Sequence, residues 1–375
     1  MGTKSKNYRL ALAILTLAST LILLVVADFG LQWTLRIPSR FLKDVIRFDP
    51  SLAPPKRLRP NLDVVLVGAL KEFTFHMTTN SDGFRRTTPY ESNDNAEPSV
   101  ILLGDSQTFG VGVNDEETIA SFLSTELGKP VLNTGCPGYN NIEQYFLTNT
   151  LLKKYKPDYF ILLFFPGNDP YENFTNRKSF ASSHKVDPST PSKRTRNLKF
   201  SMGDVKSYLI RHSALYYLST LLRRIGSINE FLYRTNLVNR NIPNEIAVYV
   251  KHPTDKKDQF WTITENALSE MNRIIGQADG KLLISIVPDK LQVDDAYWHQ
   301  WVQKYRLNPS EFNRFAPNEH LKQFSQKKGI QFLDLTPIFR SRFEQGDNLF
   351  WRMDHHLREG GNRVIAESLS DYLRN

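Results

Sequence analysis

The spacing of apolar residues changes character along the chain, and each change marks a different kind of element. From Leu10 to Ala27 eighteen consecutive residues carry no charge, with Thr and Ser as the only polar members. At a rise of 1.5 Å per residue such a run makes about 27 Å of helix, close to the roughly 30 Å of a bilayer core. A membrane-spanning helix is expected there. Between residues 29 and 61 the pattern is mixed, and Pro38, Pro50, Pro54, Pro55 and Pro60 interrupt any long helix, so this stretch reads as a tether. Two short strand-like runs follow, Leu62–Val67 and Glu72–Thr78, then the turn-rich NSDGFRR at 80–86 and a polar linker at 87–98.

From Ser99 onward, continuous apolar runs alternate with helical periodicity. SVILL at 99–103, PVLN at 130–133, DYFILLFF at 158–165, KLLISIV at 281–287 and IQFLDL at 330–335 read as buried strands. Helices are expected at Glu116–Leu127, Ile142–Tyr155, Thr262–Gln277 and Asn318–Lys327. Strands apolar on both faces, alternating with helices, predict a three-layer α/β/α domain around a parallel sheet. The pattern lapses between about 170 and 260, which reads as a helical insertion carrying much of the positive charge. The expected organisation is therefore an N-terminal transmembrane anchor at 1–30, a tether with a small β appendage at 31–98, and an α/β domain at 99–375.

Charge adds direction to the anchor. Lys4, Lys6 and Arg9 precede the apolar run and Asp28 follows it, so the positive-inside rule places the start in the cytoplasm and the remaining chain on the extracytoplasmic, periplasmic side of the cytoplasmic membrane. A cleaved signal peptide is the competing reading, since Val25 and Ala27 suit a cleavage site, but such apolar regions usually run about 7 to 15 residues. Either way the rest of the chain is exported. The formal charge of +9 favours anionic surroundings. No recognition-helix, RNP-like or zinc-finger pattern accompanies it, which argues against nucleic acid as a partner. The single cysteine, Cys136, excludes an internal disulfide and any multi-cysteine metal site. HExxH, phosphate-loop and dinucleotide patterns are absent as well, so neither metal nor cofactor is implied.

In sheets of this class ligands bind beyond the carboxyl ends of the strands. Gly104-Asp105-Ser106 follows the first strand, NTGCPG at 133–138 the second and Gly167-Asn168-Asp169 the third, while Asp354-His355-His356 stands ahead of the final helix. A possible nucleophile, two possible oxyanion donors and an Asp/His pair thus fall where they can converge on one crevice.

This ordered set resembles the blocks of the SGNH (GDSL-like) hydrolases. Ser106 is similar to their nucleophile, Gly138 and Asn168 to the second and third block residues, and Asp354 and His356 to the acid and base of the last. The strings GDSQTFGVGV, NTGCPGYNN and FLDLTP also look like those of membrane-anchored bacterial members. The commonest last block has Asp three residues ahead of His, a place held here by Met353; the observed spacing of two is similar to the branch containing alginate O-acetylation proteins. The resemblance implies a serine esterase working through an acyl-serine on an ester of a cell-envelope glycan or lipid, with O-acyl transfer to an extracytoplasmic polysaccharide as the alternative. A non-catalytic envelope scaffold or glycan-binding protein is a second alternative, against which the joint presence of Ser106, His356 and Asn168 counts.

These residue types suit the chemistry. A serine hydroxyl is a poor nucleophile until a base takes its proton, and an imidazole oriented by a carboxylate can take and return it. The N–H groups of Ser106 and Gly138 and the Asn168 amide would stabilise the oxyanion. In an extended segment residues two apart share a side, so Asp354 can face His356 while His355 points away.

Overall fold

The computed structural model describes residues 45–49, 51–68, 72–89, 97–175, 244–251, 255–352 and 354–375, with 15–16, 19–20, 22–31, 213 and 215. They fall into two units. In the first, made from 1–41 and 194–240, residues 22–31 are helical and Asp28 accepts hydrogen bonds from the Ser213 hydroxyl and the Leu215 amide. Much of the apolar run 10–27 and most of the insertion lie outside the described residues. Among those described, no helix is long and apolar enough to cross a membrane.

The second unit, residues 42–193 and 241–375, holds the parallel sheet. Two small antiparallel ladders come first: β1 (Ile46–Phe48) with β2 (Lys56–Leu58), and β3 (Asp63–Val67) with β4 (Thr74–Thr78). The first ladder lies within the stretch that proline content made a tether. Pro54 and Pro55 occupy the connection between its strands, where no ladder hydrogen bond is needed. Along β4 the burial alternates, Phe75 and Met77 inward and His76 outward, as one covered face requires.

Five strands form the main sheet, β5 (Val100–Leu103), β6 (Val131–Asn133), β7 (Tyr159–Phe164), β8 (Lys281–Ile286) and β9 (Gln331–Asp334), all parallel in the order β6-β5-β7-β8-β9. Every residue of β5 is buried and five of six in β7, so both faces are covered, as their unbroken apolar runs predict. Around them lie α1 (Ser106–Phe109), α2 (Ile119–Leu127), α3 (Asn141–Leu151), α4 (Asp255–Gly276), α5 (Lys290–Val293), α6 (Asp295–Tyr305), α7 (Ala316–Lys328), α8 (Thr336–Glu344) and α9 (Glu359–Arg374). The expected three-layer α/β/α architecture is present. Helix α2 starts later than its pattern suggested because Thr118 caps it, accepting from the Ser121 amide, while the acidic residues 115–117 form a separate 3-10 turn.

In chain order the sheet reads 2-1-3-4-5, the flavodoxin-like order, whose direction reverses at β5. The loops leaving β5 and β7 therefore open a crevice between them. Leu102, Leu163, Leu283, Phe339, Ile365 and Leu369 belong to the core beneath it, and truncating one such side chain to Ala costs about 2–5 kcal/mol.

Candidate active site

Ser106 is the first residue of α1, immediately after β5. The turn before it is tight, since a Cβ on Gly104 would stand 1.9 Å from the Thr108 hydroxyl oxygen. Asp105 caps α1: one carboxylate oxygen accepts from the Gln107 amide (2.8 Å) and the other from the Asn168 side-chain amide (3.0 Å). Burial pushes the Asp105 carboxyl up, and burial followed by the charge of Asp105 pushes Asp169 further up. These acids hold the strand ends rather than react.

The candidate base comes from 250 positions downstream. His356 Nε2 lies 2.8 Å from Ser106 Oγ, and its Nδ1 is hydrogen-bonded to Asp354 Oδ1, which also accepts the His356 amide at 2.9 Å. Burial alone would raise the Asp354 carboxyl, but its bonds and charge attraction to His356 outweigh that and hold it well below the usual carboxylate range. Asp354 thus stays ionised and fixes the ring so that Nε2 faces the serine. His355 is exposed, but its ring does not turn away as the extended-segment argument expected: it stacks on the His356 ring at 5.4 Å between centroids and on Phe165 at 6.2 Å.

The two expected oxyanion donors sit on neighbouring loops. Gly138 follows β6 with φ +73°, a left-handed conformation that suits glycine. Its loop is tied to the nucleophile strand by the Cys136 amide, which donates to the Gly104 carbonyl (3.3 Å). Asn168 follows β7, and its side-chain amide, which carries two hydrogens, donates one to Asp105. The N–H of Ser106 is among the orphan donors at the start of α1. The five residues singled out from the sequence therefore lie at one end of the sheet, Ser106 at the start of α1 and the others on loops. A nucleophile, its base, an orienting acid and fixed donors on such loops are the parts acyl transfer needs.

Several supporting residues carry no motif. The Gln107 side chain brackets the base, accepting from the Leu357 amide (3.2 Å) and donating to the His355 carbonyl (3.4 Å). Lys290, its ammonium pushed down by burial, donates to the Trp351 and Arg352 carbonyls just ahead of Asp354. Fully buried Arg85 pairs with Asp115 at 2.8 Å and donates to the carbonyls of Phe109, Gly110 and Val113. Only the position of Gln107, one residue after the nucleophile, could have marked it in advance. Among the described residues, no group of three or more His, Cys, Asp or Glu side chains is arranged to hold a metal ion.

Residues 249–375 match the family model described as the SGNH hydrolase-like domain of the acetyltransferase AlgX, a span that includes Asp354 and His356. That match supports the resemblance, including its alginate O-acetylation branch, over the last block; the blocks holding Ser106, Gly138 and Asn168 lie outside the matched span. No curated protein matches the chain in sequence. Similar solved structures include the acetyl xylan esterase AlAXEase, 13% identical over 73% of this chain and 98% of that one, with a TM-score of 0.38. The lipase/acylhydrolase from Enterococcus faecalis is 11% identical over 73% and 94%, with a TM-score of 0.37. The psychrotrophic esterase EstA from Pseudoalteromonas sp. is 10% identical over 74% and 100%, with a TM-score of 0.35.

Proposed function

We propose that this chain, an SGNH-type hydrolase or acyltransferase acting on esters, forms an acyl-serine at Ser106 and passes the acyl group to an oxygen nucleophile. The observation that carries the reading is the 2.8 Å contact between Ser106 Oγ and His356 Nε2, with Asp354 on the opposite ring nitrogen. His356 takes the serine proton as Oγ attacks the ester carbonyl. The N–H groups of Ser106 and Gly138 and the Asn168 amide receive the oxyanion, and the imidazolium protonates the departing alcohol. In the second half His356 deprotonates the acceptor, which attacks the acyl-serine and frees Ser106.

Water as acceptor gives an esterase, and that is our first assignment. A sugar hydroxyl as acceptor gives an O-acyltransferase, and the match to an acetyltransferase domain supports that second reading. In both, the substrate is an ester of a cell-envelope glycan or lipid. A fluorophosphonate probe should label the wild type and leave Ser106→Ala unlabelled; labelling that survives in the variant refutes the assignment.

Location is part of the proposal. The uncharged run 10–27 supports a single-pass anchor with the catalytic domain on the periplasmic face. The protein should stay with membranes through alkaline carbonate, and a soluble mature form starting near Asp28 would show a cleaved signal instead.

A further inference from the structure

Three catalytic loops are each gripped by a side chain from the polypeptide ahead of β5. The Lys56 ammonium, on β2, donates to the Gly138 carbonyl, lies 3.6 Å from Glu143 and sits over the Tyr139 ring at 5.1 Å. The Tyr139 hydroxyl returns a hydrogen bond to the Lys56 carbonyl, so the turn carrying Gly138 is held from both sides. Glu72, just before β4, accepts the Asp354 amide at 3.0 Å. Its neighbour Phe73 packs on Trp351, ring centroids 5.0 Å apart, and Trp351 closes the acid–base loop by donating its amide to the His356 carbonyl (3.1 Å). Arg85 grips the chain leaving α1 through the carbonyls of Phe109, Gly110 and Val113.

We infer that Lys56 and Glu72 are positioning residues, and that the strands β1 to β4 with their flanking residues are a working part of the catalytic centre rather than an appendage to it. This rests on the assignment of Ser106, His356 and Gly138 above. The physical case is strongest for Glu72. Its carboxylate is the acceptor that the Asp354 loop amide needs, and the Lys290 ammonium feels the charges of Asp294, Glu72 and Asp354 together. Asp354 Oδ1 must meet the His356 amide and ring nitrogen together, so freeing the Asp354 backbone releases the carboxylate from that geometry. Lys56 acts in the same manner on Gly138, whose N–H can serve an oxyanion only while its turn is held.

The test compares the full-length wild type with Glu72→Ala, Glu72→Gln, Lys56→Met, Lys56→Arg and Ser106→Ala, measuring kcat and KM on p-nitrophenyl acetate and the thermal midpoint. Misplacing a catalytic group by about 1 Å can cost about 100-fold. Glu72→Ala and Lys56→Met should lose about 10- to 100-fold in kcat, with KM and midpoint close to wild type. Glu72→Gln keeps an acceptor and Lys56→Arg keeps a donor, so both should recover most of the rate. Should Glu72→Ala not fold, Glu72→Asp takes its place: it keeps the charge but falls short of the Asp354 amide, and the same loss is expected. Wild-type kcat in the Ala and Met variants, or equal losses in the Gln and Arg variants, overturns the inference. Activity surviving in Ser106→Ala overturns the underlying site assignment instead.

Discussion

Replacing Asp354 with Asn tests the least ordinary feature of the site, the acid two residues ahead of the base. The amide is isosteric and its oxygen can still accept from His356, so packing is preserved while the charge is lost. In the wild type that charge faces an imidazolium each time Ser106 gives up its proton. A pair of unit charges about 4 Å apart at an effective dielectric near 20 interacts by about 4 kcal/mol. At about 1.4 kcal/mol per decade this is roughly a thousandfold in rate. An Asn that turns its NH2 toward His356 also favours the wrong tautomer, so the expected fall in kcat is about 10³- to 10⁴-fold. Steady-state turnover of p-nitrophenyl acetate, with fluorophosphonate labelling as a check on acylation, measures it. A companion observable is stability. The Asp354 carboxyl is held well below its ordinary value in the folded protein, so its contribution is present above the unfolded value and is lost as pH falls through the folded one. The difference in thermal midpoint between wild type and Asp354→Asn should therefore shrink below about pH 4. A variant within tenfold of wild-type kcat would refute Asp354 as the orienting acid, and Asp289, whose charge also feels His355, would be the next carboxylate to examine.

Asn168→Ala should lower kcat by about 10²- to 10³-fold on the same ester, the usual loss of one oxyanion donor, with folding retained by circular dichroism; full activity would remove Asn168 from the oxyanion hole. Arg85→Met leaves the buried Asp115 charge and three carbonyls without their partner, so denaturant titration should show a loss of about 3–5 kcal/mol, and a loss below 1 kcal/mol would contradict the buried pairing. Asp295, bonded to both Arg340 and Arg314, is held at about 2 by those hydrogen bonds. Its depressed value means stability present above the ordinary carboxylate range and lost toward pH 2. Because the Asp295 carboxylate is exposed, Asp295→Asn should cost less than about 1 kcal/mol at pH 7 and nothing near pH 2; a cost that grows on acidification would refute this.

The strands of the main sheet were legible because they are buried on both faces, and burial of that kind writes an unbroken apolar run such as YFILLF at Tyr159–Phe164. Ser106, Gly138, Asn168, Asp354 and His356 were legible because each follows or precedes an element in a fixed block. Helix boundaries were less so: α4 begins at Asp255, ahead of the expected Thr262, since DKKDQFW carries no apolar period. The gripping side chains were not legible at all. Arg85, next to Arg86 in the turn-rich NSDGFRR, and Glu72, next to Lys71, are charged residues of a kind that ordinarily faces solvent. Their value comes from main-chain carbonyls and amides that sequence does not display, and from partners as distant as the 282 positions between Glu72 and Asp354.

The separation of 250 positions between nucleophile and base sets an order of events during synthesis. At about 5–20 residues per second, Ser106 emerges roughly 10–50 s before His356. On the proposed mechanism, Ser106 has no proton acceptor until His356 is in place. Competence arrives only when the segment of Asp354 and His356 docks, held there by α9 packing through Val364, Ile365 and Leu369 into the core beneath the sheet. Helix α9 therefore ties core packing to the placement of the candidate acid and base: loosening it is expected to displace His356 from Ser106 while the sheet stays folded.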